Sequence, residues 1–269
     1  MITSTSNPII KQIRKLSQRK ERRETGTFFA EGVRIVGAAL EKQWQFDTII
    51  YSPELVKADF ANEIIEIARK KSIPLTEVSA DVFQTLSGKD NPQGIGAVLQ
   101  QQFASLEKLS QSYGNWIALF EAADPGNVGT IIRTADSAGF NGVILVGDST
   151  DPFDPNSIRA SMGSIFAIEI ANITLEDLKR IRTAGRYTII GASDKATINY
   201  RGYDYPKDLI LFMGSERQGL SPAAIELCDE MVSIPMVGSA DSLNLSIAGG
   251  ILMYEVFNQQ HETSHRRGG

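Results

Sequence analysis

Cysteine and histidine are almost missing from this chain. Among 269 residues there is one cysteine, Cys228, and two histidines, His261 and His265, both near the C-terminus. A single thiol excludes an intramolecular disulfide and a cysteine-built zinc cluster. Two histidines in a tail leave none for a catalytic centre or a metal site, so no metal is expected. No run of about 18 apolar residues exists to span a membrane. The opening stretch, MITSTSNPIIKQIRKLSQRKERR, is polar and basic and lacks the apolar centre of a signal peptide. These absences predict a cytoplasmic protein.

What is present suits a globular chain: 42% hydrophobic and 22% charged residues, long enough for one large or two modest domains. A net charge of -5 argues against a uniformly basic nucleic-acid binder. The charge is uneven, however. Residues 1–34 carry Lys11, Arg14, Lys15, Arg19, Lys20, Arg22, Arg23 and Arg34 against Glu21, Glu24 and Glu31. Such a patch binds phosphates with an affinity that falls with salt. The same segment reads as an amphipathic helix, because Ile9, Ile10, Ile13 and Leu16 recur at helical spacing. The two readings are compatible: an apolar face docks while a basic face stays available for phosphates.

The first hundred residues alternate helix and strand. Helices are predicted over about 8–23, 33–42, 54–71 and 80–88, with strands in TFFAEG, FDTIIYS, PLTEVS and GIGAVLQQ. That alternation predicts a sheet covered by helices. The polar stretch QQFASLEKLSQSYGN marks a boundary. The expected organisation is a domain over 1–101, a linker over 102–115, a second α/β domain over 116–260 and a disordered tail over 261–269. In the second half, WIALFEA is apolar throughout, as a central strand buried on both faces should be. It runs into ADPGNVG and then a helix TIIRTADSA closed by Gly139. GVILVGD, YTIIGAS, DLILFMG and EMVSIP are further strands, and a final helix runs from Asn244 to about Gln259.

Ligands in open parallel sheets collect beyond the carboxyl ends of the strands. Three loops there share one small, polar composition: DPGNVGTIIR, MGSERQGLS and IPMVGSADSLNLS. Gly126 and Gly129 allow a sharp turn near a ligand. Their spacing does not fit the dinucleotide fingerprint, which disfavours a nucleotide-dependent oxidoreductase. Arg133 lies one to two turns into the following helix, where it either faces a ligand or pairs with Asp136 on the surface. Asn127 is either a bridging amide or a turn former. Glu216 is the only acid of its turn, and Ser221 with Pro222 reads as a helix start. In GSADSLNLSIAGG, Asp241 or Ser242 could cap the final helix. The small residues Gly238, Ser239, Ala240, Ala248, Gly249 and Gly250 suit a chain turning tightly around a ligand.

Together the three loops resemble the SpoU/TrmH branch of the SPOUT RNA methyltransferases. NVGTIIRTADSAGF is similar to its first motif, FMGSERQGLS to its second and IPMVGSADSLNLSIAGGILMYE to its third; RASMGSIF, residues 159–166, fits the segment between. The N-terminal NPIIKQIRKLSQRKERRETGTFFAEGVRIV is similar to the small α/β, ribosomal-protein-like substrate domain of many members. The resemblance implies a ribose 2′-O-methyltransferase that uses S-adenosyl-L-methionine, a catalytic domain with a deep trefoil knot, and a homodimer. It implies that Gly214, Ile234 and Leu243 line the cofactor site with Met236 and Asn244 beside them. Asn127, Arg133, Glu216, Ser242 and Asn244 fall on the family's polar active-site positions. Large-subunit (23S) ribosomal RNA is the expected substrate. Transfer RNA is the alternative substrate, and a non-catalytic RNA-binding ribosome-assembly factor is the alternative function.

Overall fold

In the computed structural model, residues 1–88, 90–239 and 241–266 are described. Helices α1 (Pro8–Lys15) and α2 (Arg19–Thr25) lead into β1 (Thr27–Glu31), α3 (Val33–Glu41), β2 (Phe46–Tyr51), α4 (Asp59–Lys70), β3 (Leu75–Glu77), α5 (Ala80–Leu86) and β4 (Ile95–Gln100). Then come α6 (Leu106–Gln111), β5 (Asn115–Phe120), α7 (Pro125–Ser137), β6 (Gly142–Val146), α8 (Pro155–Ser161), β7 (Glu169–Ile173), α9 (Leu175–Thr183), β8 (Thr188–Ala192) and β9 (Ile198–Asn199). The chain closes with β10 (Leu209–Met213), α10 (Pro222–Ile225), β11 (Glu230–Ser233) and α11 (Leu245–Arg266). It divides into two compact units, one of residues 1–102 and 153–167, the other of residues 103–152 and 168–269.

The first unit is a four-stranded sheet in the order β1-β4-β2-β3. The pairs β1/β4 and β2/β4 are antiparallel and β2/β3 is parallel. The helix expected over 8–23 is two helices. Asn7 caps α1 and Pro8 opens it, and the chain turns after Leu16. Arg22 of α2 reaches back and donates from Nη1 to the carbonyls of Leu16 and Ser17, each at 2.9 Å. Its other terminal nitrogen meets Asp154 at 3.2 Å, and the side chain is only 1% exposed. Arg22 therefore does not belong with the cations expected to face a phosphate; it fastens the break between α1 and α2. Lys11, Arg14, Lys15, Arg19, Lys20, Arg23 and Arg34 are exposed.

Residues 153–167 complete this unit. Phe153 and Phe166 are buried in an aromatic group with Phe28 and Trp44, with ring centroids 4.7 Å apart for Phe28–Phe153 and 4.9 Å for Trp44–Phe166. The Trp44 indole N–H donates to the Phe166 carbonyl at 3.2 Å.

The second unit holds a seven-stranded sheet in the order β7-β6-β5-β10-β8-β11-β9, parallel throughout. β5, β6 and β10 are buried at every residue, as expected for central strands in a doubly covered sheet. Leu119 pairs with Met213, so β5 and β10 end level with each other. Helix α6 lies within the stretch read as a linker, and its Leu109 is buried in the core with Trp116 and Tyr187. The expected tail 261–269 begins inside α11, and residues 267–269 lie outside the described residues.

Candidate functional site

β5 ends at Phe120, and the next residue, Glu121, adopts a left-handed conformation with φ 51°. For a side chain with a Cβ this costs energy, and such positions concentrate at functional sites. Buried Ser149 secures the loop that follows: its Oγ accepts from the Ala122 N–H at 3.2 Å and faces the carbonyls of Leu119 and Val146. The segment DPGNVG, read as a loop, is in fact the first turns of α7. Asp124 is its N-cap, accepting from the Asn127 N–H at 2.7 Å, and Pro125 is the first helical residue. Gly126 and Gly129 therefore lie in helix and do not make a sharp turn. Gly139 does take a left-handed conformation after α7, at φ 71°.

β10 delivers the second loop. A Cβ on Gly214 would stand 2.0 Å from the Gly219 carbonyl carbon, so only glycine lets residues 214–219 close on themselves. The Gly219 N–H donates to the Ser215 carbonyl at 2.9 Å, and Gly219 itself has φ 67°. Ser221 caps α10 from the side chain, as its sequence position suggested. This turn presents Glu216 at the surface.

The third segment, residues 234–244, leaves β11 and enters α11. The helix cap is Asn244, not Asp241 or Ser242. Asn244 Oδ1 accepts from the Ser246 N–H at 2.9 Å, the Ser246 hydroxyl at 2.7 Å and the Ile247 N–H at 3.4 Å. Its Nδ2 donates to Asn127 Oδ1 at 3.0 Å, and Asn127 Nδ2 donates to Glu216 Oε1 at 2.9 Å. One amide of each asparagine is thus oriented at both ends, and the line Glu216–Asn127–Asn244 ties the three loops together. Ala248, Gly249 and Gly250 sit inside α11 and do not line a turn. A Cβ on Gly249 would meet Ile117 and Ile131 at 3.3 and 3.8 Å, and one on Gly250 would meet Thr134 at 3.8 Å, so these small residues seat α11 on β5 and α7. Ala240 lies outside the described residues.

Other expected residues do not join this line. Ser242 is exposed and makes no side-chain hydrogen bond to a described residue. Arg133 is exposed on α7, about 9 Å along the helix axis from Asn127. Among the described residues its side chain forms no ion pair, with Asp136 or any other acid. Ile234 and Met236 are half-buried, Leu243 is 37% exposed and Val237 is fully exposed. Nothing lies within 4 Å of a Cβ built on Gly238, and among the described residues no backbone hydrogen bond engages residues 234–243. Ile234, Met236 and Leu243 thus present apolar surface beside amides and carbonyls that are unengaged among the described residues, groups able to hold an adenosine-containing ligand largely through the backbone. No three metal-ligating side chains converge among the described residues. Sequence reasoning missed Asp124, Ser149 and Ser246. The DP pair and the NLS triplet are legible as cap signals, whereas nothing local marks Ser149.

Comparison with known proteins matches the SpoU rRNA Methylase family over residues 114–254 and an MRM3-like substrate binding domain over residues 7–97. A 23S rRNA (uridine(2479)-2′-O)-methyltransferase of Streptomyces viridochromogenes is 31% identical, over 91% of this chain and 87% of that protein. The 23S rRNA (guanosine(2553)-2′-O)-methyltransferase RlmP of Bacillus subtilis is 31% identical, over 95% and 98%. Among solved structures, an AdoMet-bound rRNA methyltransferase from Sinorhizobium meliloti superposes with TM-score 0.87 at 38% identity, covering 97% of both chains.

Proposed function

Because this chain belongs to the SpoU rRNA methylase family, we propose that it transfers a methyl group from S-adenosylmethionine to the 2′ oxygen of a ribose in 23S ribosomal RNA. The observation that carries this reading is the hydrogen-bonded line Glu216–Asn127–Asn244, which joins the three loops at one edge of the parallel sheet. The cofactor, when bound, supplies an electrophilic methyl group on a sulfonium. Gly214, Ile234, Met236, Leu243 and Asn244 hold it, chiefly through the backbone of 234–244. Asn127, fixed at both ends, keeps the loops in register so that hydroxyl, methyl and sulfur line up; such positioning supplies several kcal/mol. Ser242, beside Leu243, faces the ribose.

Arg133 is not the base. A guanidinium stays protonated at neutral pH and has no acceptor to offer. It binds the phosphate next to the reacting ribose or steadies alkoxide charge as the proton leaves. The pH–rate profile of single turnover checks this: Arg133→Lys should react much more slowly than wild type across the profile. A near-wild-type rate would remove Arg133 from the mechanism.

The two named relatives act on a uridine and a guanosine, which agrees with a reaction that makes few demands on the base. The protein acts in the cytoplasm as a homodimer. Its catalytic domain, residues 116–260, carries a deep trefoil knot in which the C-terminal chain threads a loop, and its N-terminal domain, residues 1–101, engages RNA. The dimer reading is supported by the apolar stripe Ile247, Ile251 and Tyr254 on α11, at i, i+4 and i+7, with Ile247 54% and Tyr254 45% exposed.

The decisive experiment maps 2′-O-methyl groups in RNA from cells with and without the protein. One ribosomal site should disappear. Loss of a transfer-RNA site instead would shift the substrate, and loss of none would overturn the enzymatic reading. Calorimetric binding of S-adenosylmethionine separates an enzyme from a non-catalytic assembly factor.

A further inference from the structure

The first unit encloses a cavity of about 280 Å³ among α1, β1, α3, α5 and α8. Ile13, Leu16, Ile35, Leu86 and Ile158 give it apolar walls. Its charged groups are Glu31, Arg14 and Arg159, beside the hydroxyls of Ser17, Thr85 and Ser87. Glu31 is already oriented: Oε1 accepts from the Ser87 hydroxyl at 2.7 Å and Oε2 from the Gly88 N–H at 3.3 Å. A carboxylate has about four acceptor positions, so about two remain. Arg14 donates from one terminal nitrogen to the Thr5 carbonyl and the Thr85 hydroxyl, and the rest of its fork is uncommitted. The exposed Arg159 side chain has no hydrogen-bond or ion-pair partner among the described residues. A terminal nitrogen of Arg159 lies 3.0 Å from where a Cβ on Gly88 would stand, which puts the guanidinium over the loop at the cavity mouth.

Apolar walls, one oriented acceptor and two cations at the rim match a specific chemistry. A nucleobase is flat and largely apolar with N–H groups along its edge, and its neighbours are phosphates. The volume lies just below the roughly 300–1,000 Å³ of small-molecule sites, which suits one base rather than a helix or a lipid tail. Arg14 also shares α1 with the exposed Lys11 and Lys15, so a backbone bound there continues along a cationic helix. We propose that this cavity captures one unpaired nucleotide of the RNA substrate. The base enters among Ile13, Leu16 and Ile158, its N–H edge meets Glu31, and flanking phosphates meet Arg14 and Arg159. The inference rests on the methyltransferase reading only in taking RNA as the polymer.

The test uses the full chain and two probes, a fluorescent 12-nucleotide single-stranded RNA of mixed sequence and the same strand paired with its complement. Arg159→Ala removes a rim cation, and Ser17→Trp fills the mouth from an exposed position. Each should weaken single-strand binding tenfold or more, leave duplex binding within twofold and leave the unfolding midpoint unchanged. Arg159→Ala should also reduce the salt slope of single-strand binding by about 0.7. In methyl transfer to ribosomal RNA, KM for RNA should rise while kcat and KM for S-adenosylmethionine hold. Single-strand affinity within twofold of wild type in either folded variant overturns the proposal, as does equal loss on both probes; a cavity that takes a peptide gives the first result. Should the variants behave as expected while the wild type methylates no RNA, the enzymatic reading fails and the cavity assignment stands. Normal methylation with an unaltered KM for RNA overturns the cavity assignment alone.

Discussion

Asn127 is held from three directions: its N–H by Asp124, its amide nitrogen by Glu216 and its amide oxygen by Asn244. These groups are at or near the surface, so each hydrogen bond adds only about 1 kcal/mol to stability. Their weight falls on positioning. Asn127→Ala should slow single-turnover methyl transfer about 100-fold, as small misplacements of reacting groups do, while urea unfolding moves by about 1 kcal/mol or less. An unchanged rate would make the line structural. Arg22 behaves in the opposite way. Arg22→Ala removes the counter-charge of Asp154 and the donor to two carbonyls, and should cost about 3 kcal/mol, the low end for a broken buried ion pair because Asp154 is 25% exposed and still caps α8. Arg23→Ala should cost almost nothing. Both lie in one basic run of the sequence, and charge alone does not reveal which one turns inward.

At the scale of elements, helix caps are the most legible feature in the sequence, and the glycines that follow one of them obscure it. DP before NVG is a helix start, with Asp at the cap and Pro first. Its glycines suggested a loop because glycine is equally at home in one. SLNLS offers three capping residues in five positions, and packing of α11 on α7 selects Asn244. Asn244→Ala should therefore cost about 1 kcal/mol in unfolding experiments. Asp241→Ala and Ser242→Ala should each stay within about 0.5 kcal/mol of wild type. Just after α10, burial and then the neighbouring charge of Asp229 push the Cys228 thiol up to about 12, against an ordinary 9.0, with Arg182 opposing. A thiol pKa raised by folding adds stability below about pH 9 that is lost as pH rises toward 12. Unfolding midpoints should fall over that window, and Cys228→Ala should flatten the fall. Native protein at neutral pH should also resist alkylation, since the thiolate is the reactive form.

At the scale of the whole molecule, the first unit depends on residues from the middle of the chain. Phe153, Asp154 and Phe166 fill its aromatic core and pair with Arg22. Burying two phenylalanines contributes about 3–6 kcal/mol, a large share of a small unit's stability. A polypeptide of residues 1–102 should therefore lack a cooperative thermal transition and near-ultraviolet dichroism. Adding a peptide of residues 150–170 should restore part of both. Independent cooperative folding of 1–102 would show that the segment is dispensable. The apolar stripe of α11 makes a second prediction: light scattering should give twice the 29.4 kDa chain mass, and Ile247→Glu with Tyr254→Glu should return it to one.

The sequence by itself determined the alternation of helix and strand, the all-apolar central strands and the composition of the three loops. Those features depend on periodicity and on residues a few positions apart, which one chain displays directly. Only the tertiary structure decided that Asn127 meets Glu216, 89 residues away, and Asn244, 117 residues away. It also decided that Arg22 faces inward and that residues 153–167 join a unit begun at Met1. Such contacts follow from strand order, and strand order is set by which buried faces fit together. No local pattern carries that choice.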